Sequence, residues 1–173
     1  KQMDFNLMIQ KRHSVRKYKP QKVEKEKLNK ILEAARLAPT AANRQPQRLL
    51  ILEKEESLNK LAQCSNIYGA PLAIVVCADL NQAWTRTFDK KQTGDIDASI
   101  VTDHMMMAAT ELGLGSLWIC HFQPDLLRKS FHIPEHIEPI NILVLGYEGE
   151  NNSVPRKNRK ELAEIVCFET MKE

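Results

Sequence analysis

Neither standard nucleotide-binding glycine pattern, GxGxxG or GxxxxGK[ST], occurs in the chain, so neither familiar phosphate loop is supported. Cysteine is scarce: Cys64, Cys77, Cys120 and Cys167 are the only four. No two of them stand close enough for a zinc or CxxC redox motif, which points to a reducing compartment, taken as the cytoplasm. The longest apolar run, "APLAIVVCA", falls far short of a membrane span. The opening "KQMDFNLMIQKR" has no apolar core followed by a small-residue cleavage site, so no secretory leader is expected. Met3 reads as a candidate natural start, with Lys1 and Gln2 ahead of it. Repeats, low-complexity tracts and linkers are absent, and the 173 residues are expected to form one domain, 1–173. Charge of one sign is also in short supply. A net charge of +3 does not by itself imply a polyanion, and no nucleic acid or membrane partner is expected.

What is present suits an ordinary core. Hydrophobic residues make up 43% and charged residues 27%, normal for a globular chain of this size. Asp4 is placed to cap a short helix carrying Phe5, Met8 and Ile9. Leu28, Ile31, Leu32 and Ala35 repeat with helical spacing, and Pro39 ends that helix. Residues 47–53 read as a strand, 55–64 as a helix, and 71–79 as a buried strand rich in β-branched residues. Residues 81–94 are polar and irregular, with Trp84 and Phe88 embedded. From Asp95 to Gly115 small and apolar residues spread round the helical wheel, predicting a helix buried on most sides, in a core or a subunit interface. Residues 116–120 and 140–147 read as strands. Pro124 starts a short helix between them. The tail is basic, then weakly helical. Helices and strands mix without regular βα alternation, which predicts an α+β fold: a mostly antiparallel sheet of four or five strands flanked by helices.

Three stretches carry polar groups at suggestive spacing. In "KRHSVRKY", Arg12, Ser14 and Arg16 lie on one face if the chain is extended. Two guanidiniums and a hydroxyl there would suit a phosphate, which arginine meets with paired N–H donors. A solvated basic face is the plain alternative. In "APTAANRQPQ" a helix stops at Pro39, and Thr40, Asn43 and backbone groups follow in a loop. That loop is either an ordinary turn or an edge offered to a polar ligand. The tail places Arg156, Lys157, Arg159 and Lys160 within five residues, as a solvated run or a cationic clamp. Cys77 and Cys120 sit in apolar runs and read as buried thiols. Cys120 beside His121 suggests a nucleophile and base, but neighbours in a strand point to opposite faces, which argues against that pairing. His104, inside the long helix, reads as a hydrogen-bonded buried histidine. Met105, Met106 and Met107 face different directions and suit core and interface packing.

Taken together and in this order, the three stretches resemble the FMN-dependent nitroreductase family. The basic start "R-x-S-x-R", the helix end "A-P-[ST]-x-x-N-x-Q-P" at Ala38, Pro39, Thr40, Asn43, Gln45 and Pro46, and the "A-P" strand at Ala70-Pro71 all match. So do the long helix running into "E-L-G-L-G" from Glu111, the "K-x-R" of Lys157 and Arg159, and "L-x-E-I-V" from Leu162. Gln47 departs from the family, which usually carries an aromatic residue, often Trp, there.

The resemblance implies an FMN site and a nitroreductase-like fold forming a domain-interlocked homodimer. Arg12, His13 and Ser14 would lie along the phosphate and ribityl chain, and Lys157 and Arg159 would close on the phosphate from the tail. Arg16, Gln63 and Asn66 would face the pyrimidine edge of the ring. Ile119, Cys120 and His121 would bring backbone N–H groups to N5 and O4. Pro39, Thr40, Ala41 and Asn43 would come from the other subunit. The implied activity is an oxidoreductase in which NADH or NADPH gives hydride to flavin N5 and a nitroaromatic or quinone takes the electrons by a ping-pong mechanism. No side-chain acid or base and no metal is required, because the cofactor carries the chemistry. The competing readings are a flavin-binding protein without turnover and a polyanion binder using the same basic patches.

Overall fold

A computed structural model describes residues 3–150 and 154–171; Lys1 and Gln2, ahead of the candidate start, lie outside these. The strand β2 (Leu72–Asp79) is buried at every position. It is flanked by β1 (Gln47–Leu52) and β4 (Ile137–Gly146), and β4 pairs in turn with β3 (Gly115–Ile119). All pairings are antiparallel and the order is β1-β2-β4-β3.

Successive side chains of a strand point to opposite faces. Leu72, Ile74, Val76 and Ala78 therefore enter one layer, and Ala73, Val75 and Cys77 the other. In the first layer they meet α2 (Lys25–Leu37) through Leu28, Ile31 and Ala35, and α4 (Gly94–Glu111) through Ala98, Val101, Met105 and Ala109. In the second they meet α3 (Glu55–Ala62) through Leu61 and α5 (Pro124–Phe131) through Leu127. Two short helices, α1 (Phe5–Lys11) and α6 (Leu162–Ile165), bury no residue. This is the expected α+β architecture, with four strands. No helix among the described residues is long and apolar enough to cross a membrane.

One polar link lies inside the first layer. Asn141 of β4 and Thr102 of α4 are both fully buried. Asn141 Nδ2 donates to Thr102 Oγ1 at 2.9 Å, and that hydroxyl donates to the Ala98 carbonyl at 2.8 Å. The pair fixes the height of α4 over the sheet, because a buried amide left unpaired would cost roughly 1–3 kcal/mol.

Several sequence expectations need correction. β4 starts at Ile137, three residues before the expected position. Pro139 lacks an N–H but is accommodated at a bulge, where the register shifts between Val76 and Cys77. Asp4 precedes α1 without a side-chain capping bond. The helix α4 is covered on most sides, as expected, but Asp95, Ile96, Asp103 and His104 leave an open stripe at helical spacing. His104 is thus exposed, with Nδ1 3.1 Å from the Ile100 carbonyl. Cys120 is also exposed, because β3 makes its last pair at Ile119 with Ile142 and the chain then leaves the sheet.

Thiol chemistry should follow this division. Cys64 and Cys77 are 2% and 3% exposed, and burial pushes the Cys77 pKa up to about 12. In brief maleimide treatment followed by mass spectrometry, Cys120 should label in the folded protein, and Cys64 and Cys77 only after unfolding.

Candidate functional site

The basic strap begins where α1 ends, with Arg12 leaving the helix in an extended conformation. Val15 anchors it. Its side chain is 2% exposed and its N–H donates to the Ser116 carbonyl at 2.9 Å. Gly115 makes room, since a Cβ there would lie 2.9 Å from Val15 Cγ2. Further along, Lys19 N–H donates to the Tyr147 carbonyl at 2.8 Å and Gly149 N–H to the Lys17 carbonyl at 2.9 Å. With Val15 facing inward, alternation turns Ser14 and Arg16 outward, and both are exposed. Arg12, two residues before Ser14, is half-buried.

His13 is engaged elsewhere. Its Nε2 lies 2.8 Å from Glu148 Oε1 and its Nδ1 2.9 Å from the Lys11 carbonyl. Its ring is therefore committed to the protein, leaving its backbone for a ligand.

The tail folds back onto the strap. Lys157 Nζ donates to the Arg12 carbonyl. Burial lowers the Lys157 pKa, and the neighbouring charges of Arg12 and Arg159 lower it further. None of Arg12, Arg16, Lys157 and Arg159 has a carboxylate partner among the described residues. Of these, Arg12, Lys157 and Arg159 lie close enough to repel one another, and a bound dianion would relieve that repulsion. The donor set fits the phosphate of FMN.

Arg16 leads to a second polar group. Its Cζ lies 6.0 Å from the centre of the Tyr68 ring. The Tyr68 N–H donates to Asn66 Oδ1 at 2.9 Å, and Gln63 caps the C-terminal end of α3 just before it. The same turn is tied to the end of β3: Ser65 Oγ donates to the His121 carbonyl at 2.8 Å and Gln123 N–H to the Cys64 carbonyl at 2.9 Å. Ile119 is buried in the core, whereas Cys120 and His121 are exposed. Contacts thus link the strap, the tail, the turn at 63–68 and the end of β3.

The loop at 39–45 is separate. It feeds β1, the sheet edge opposite β3. Its bonds run to α4 and within itself: Ala41 N–H donates to Asp97 Oδ1 at 2.9 Å, and Gln45 N–H to Thr40 Oγ1 at 3.0 Å. Asp97 is 1% exposed. Pro39 and Asn43 are exposed, Thr40 and Ala41 half-buried. Ala42, Asn43 and Gln45 hold φ of 49°, 51° and 51°, left-handed backbone that costs non-glycine residues roughly 1–3 kcal/mol each. Gln47 follows, its Nε2 donating to the Ala35 carbonyl at 3.3 Å and its Oε1 buried without a partner among the described residues. β1 nevertheless pairs normally there, Gln47 opposite Ala78.

Sequence reasoning missed Glu148, Asp97 and Tyr68. Each acts through a contact distant in sequence or a backbone angle, and no local pattern announces either. Gly115 entered the sequence reading only as the end of the long helical stretch, though it also seats Val15.

A four-stranded antiparallel sheet with helices on both faces, edged by a basic strap that Lys157 of the tail contacts, defines an α+β protein with a cationic edge. The sequence pattern of the Nitroreductase family matches residues 9–66 and 59–147. A nitroreductase family protein from Clostridium difficile 630 is 55% identical and superposes with a TM-score of 0.94, over 98% of this chain and 100% of that one. An FMN-dependent nitroreductase from C. difficile R20291 is 31% identical, with a TM-score of 0.81 over 95% and 98% of the two chains. The Bacillus subtilis FMN reductase [NAD(P)H] is 26% identical over 81% of this chain and 64% of its own. The chain belongs to the nitroreductase family.

The seat of the strap can be tested directly. Gly115→Ala should cost about 1–3 kcal/mol in urea unfolding, as overpacking does. In a Val15→Ala background, which removes the opposing methyls, the same change should cost much less.

Proposed function

We propose that this chain is a single-domain, FMN-dependent oxidoreductase that takes electrons from NADH or NADPH and passes them to a nitroaromatic, quinone or similar small acceptor. Family membership makes it an NAD(P)H-dependent flavin enzyme. The observation that carries the site assignment is the crowding of Arg12, Lys157 and Arg159, cations without a carboxylate partner, beside an exposed Ser14 hydroxyl. These four hold the phosphate end, with the His13 backbone between them. Arg16, Gln63 and Asn66 face the pyrimidine edge. Backbone N–H groups of Cys120 and His121, after Ile119, point at the reacting side of the ring. When bound, FMN supplies hydride acceptance at N5 and onward electron transfer. The chain's own residues bind and orient; none is asked to move a proton. The donor product leaves before the acceptor enters, giving ping-pong kinetics.

Pro39, Thr40, Ala41 and Asn43 join the site from a second copy. Two observations support an interlocked homodimer. The open stripe of α4 includes Ile96, 46% exposed, and the tail leaves Leu162, Ile165, Phe168 and Met171 largely exposed. A C₂ pair would cover both sets of residues. The scarcity of cysteine, with no CxxC pair, suits a cytoplasmic setting.

The decisive measurement is the absorbance spectrum of the purified protein. Flavin bands near roughly 370 and 450 nm, bleached by NADH or NADPH, are expected. Bands without bleaching would indicate a flavin binder without turnover. No bands, with steeply salt-dependent binding of nucleic acid, would indicate a polyanion binder. Light scattering should give twice the chain mass; a flavin-loaded monomer would remove the dimer from this reading.

The two strap arginines should behave differently. Arg12→Ala should weaken FMN binding by roughly 1.5–3 kcal/mol, as loss of a charged hydrogen bond does, and leave the flavin midpoint potential nearly unchanged. Arg16→Ala should lower the potential, because negative charge develops at the ring only on reduction. Equal shifts in a redox titration would overturn the assignment.

A further inference from the structure

We infer that Tyr68 is a positioning residue for Arg16: its ring face holds the guanidinium in place at the flavin's pyrimidine edge. The inference rests on the reading of Arg16 given above.

Arg16 needs something to hold it. It is exposed, projects from the outward face of the strap, and has no carboxylate partner among the described residues. A free arginine side chain has many rotamers open to it. Electrostatic stabilisation at a reacting group is most effective when the charge is in place beforehand. The contact that restrains this guanidinium is the Tyr68 ring, with Cζ 6.0 Å from its centre, at the outer limit of a cation–π contact.

Tyr68 is itself held at a cost. Its φ is +55°, in the left-handed region, and the next residue, Gly69, is at +68°. Glycine is the default for such backbone, and a bulky aromatic residue there is an outlier. The turn around it is firmly built. Asn66 Oδ1 accepts its N–H, Ala70 N–H donates to the Ile67 carbonyl at 3.1 Å, and Ile67 and Ala70 are 5% and 3% exposed. The side chain is only partly covered, at 38% exposed. Its hydroxyl has no hydrogen-bond partner among the described residues. What remains is the ring face, turned to Arg16. Because the ring and not the hydroxyl makes the contact, phenylalanine should substitute for it and leucine should not.

The test is anaerobic redox titration of the FMN-loaded protein, with oxidised-FMN affinity measured alongside. Tyr68→Leu should lower the midpoint potential in the direction of Arg16→Ala. The preference for reduced over oxidised FMN should fall about two- to fivefold, the range of an exposed cation–π contact. That corresponds to about 10–20 mV, at about 30 mV per tenfold for a two-electron couple. Tyr68→Phe should hold the original potential. In an Arg16→Ala background, Tyr68→Leu should add no further shift. If Arg16→Ala moves the potential and Tyr68→Leu does not, or if Tyr68→Leu still moves it without Arg16, the positioning role is wrong and the FMN site stands. If Arg16→Ala leaves the potential unmoved, both the placement of Arg16 and this inference fall.

Discussion

The structure depends on β2 being buried on both faces. An eight-residue strand with no exposed position requires a helical layer above and below it. The chain supplies α2 and α4 on one side and α3 and α5 on the other. Once both faces are covered, polar chemistry has little room except at the sheet's edges and beyond the ends of its strands. The basic strap and the ends of α3 and β3 lie at one edge, and the loop at 39–45 at the other.

At the strap, a packing contact determines the electrostatics. Val15 fits against Gly115 because glycine presents no Cβ. That inward residue determines, through strand alternation, that Ser14 and Arg16 face out. The tail then brings Lys157 to the Arg12 carbonyl, gathering Arg12, Lys157 and Arg159 near one another. Such an assembly is unfavourable by itself, as the lowered Lys157 pKa reflects. Strain at Ala42, Asn43 and Gln45, and at Tyr68, is of the same kind. Local free energy is given up at the two edges and offset by the apolar layers between them.

Much of this was legible beforehand. The continuous apolar run of β2, the spacing of Leu28, Ile31 and Ala35, and Pro124 at the start of α5 each express a local preference that packing did not override. The face shared by Arg12, Ser14 and Arg16 was readable because a period of two survives in an extended segment. Cys120 and His104 were misread because their burial depends on where a strand stops pairing and which helical stripe the sheet covers. Neither is encoded in neighbouring residues.

By itself the sequence determined the element types, the two-sided core and the outward set of basic residues, since each follows from side-chain size, polarity and periodicity within a few positions. Tertiary structure alone decided which sets meet. It placed Lys157 on Arg12 across most of the chain, turned the His13 ring to Glu148, and held the Ala41 N–H against a buried Asp97. It also set the Tyr68 ring beside Arg16. Such contacts join residues tens of positions apart or more, and only the closure of the sheet between its helical layers brings them within reach.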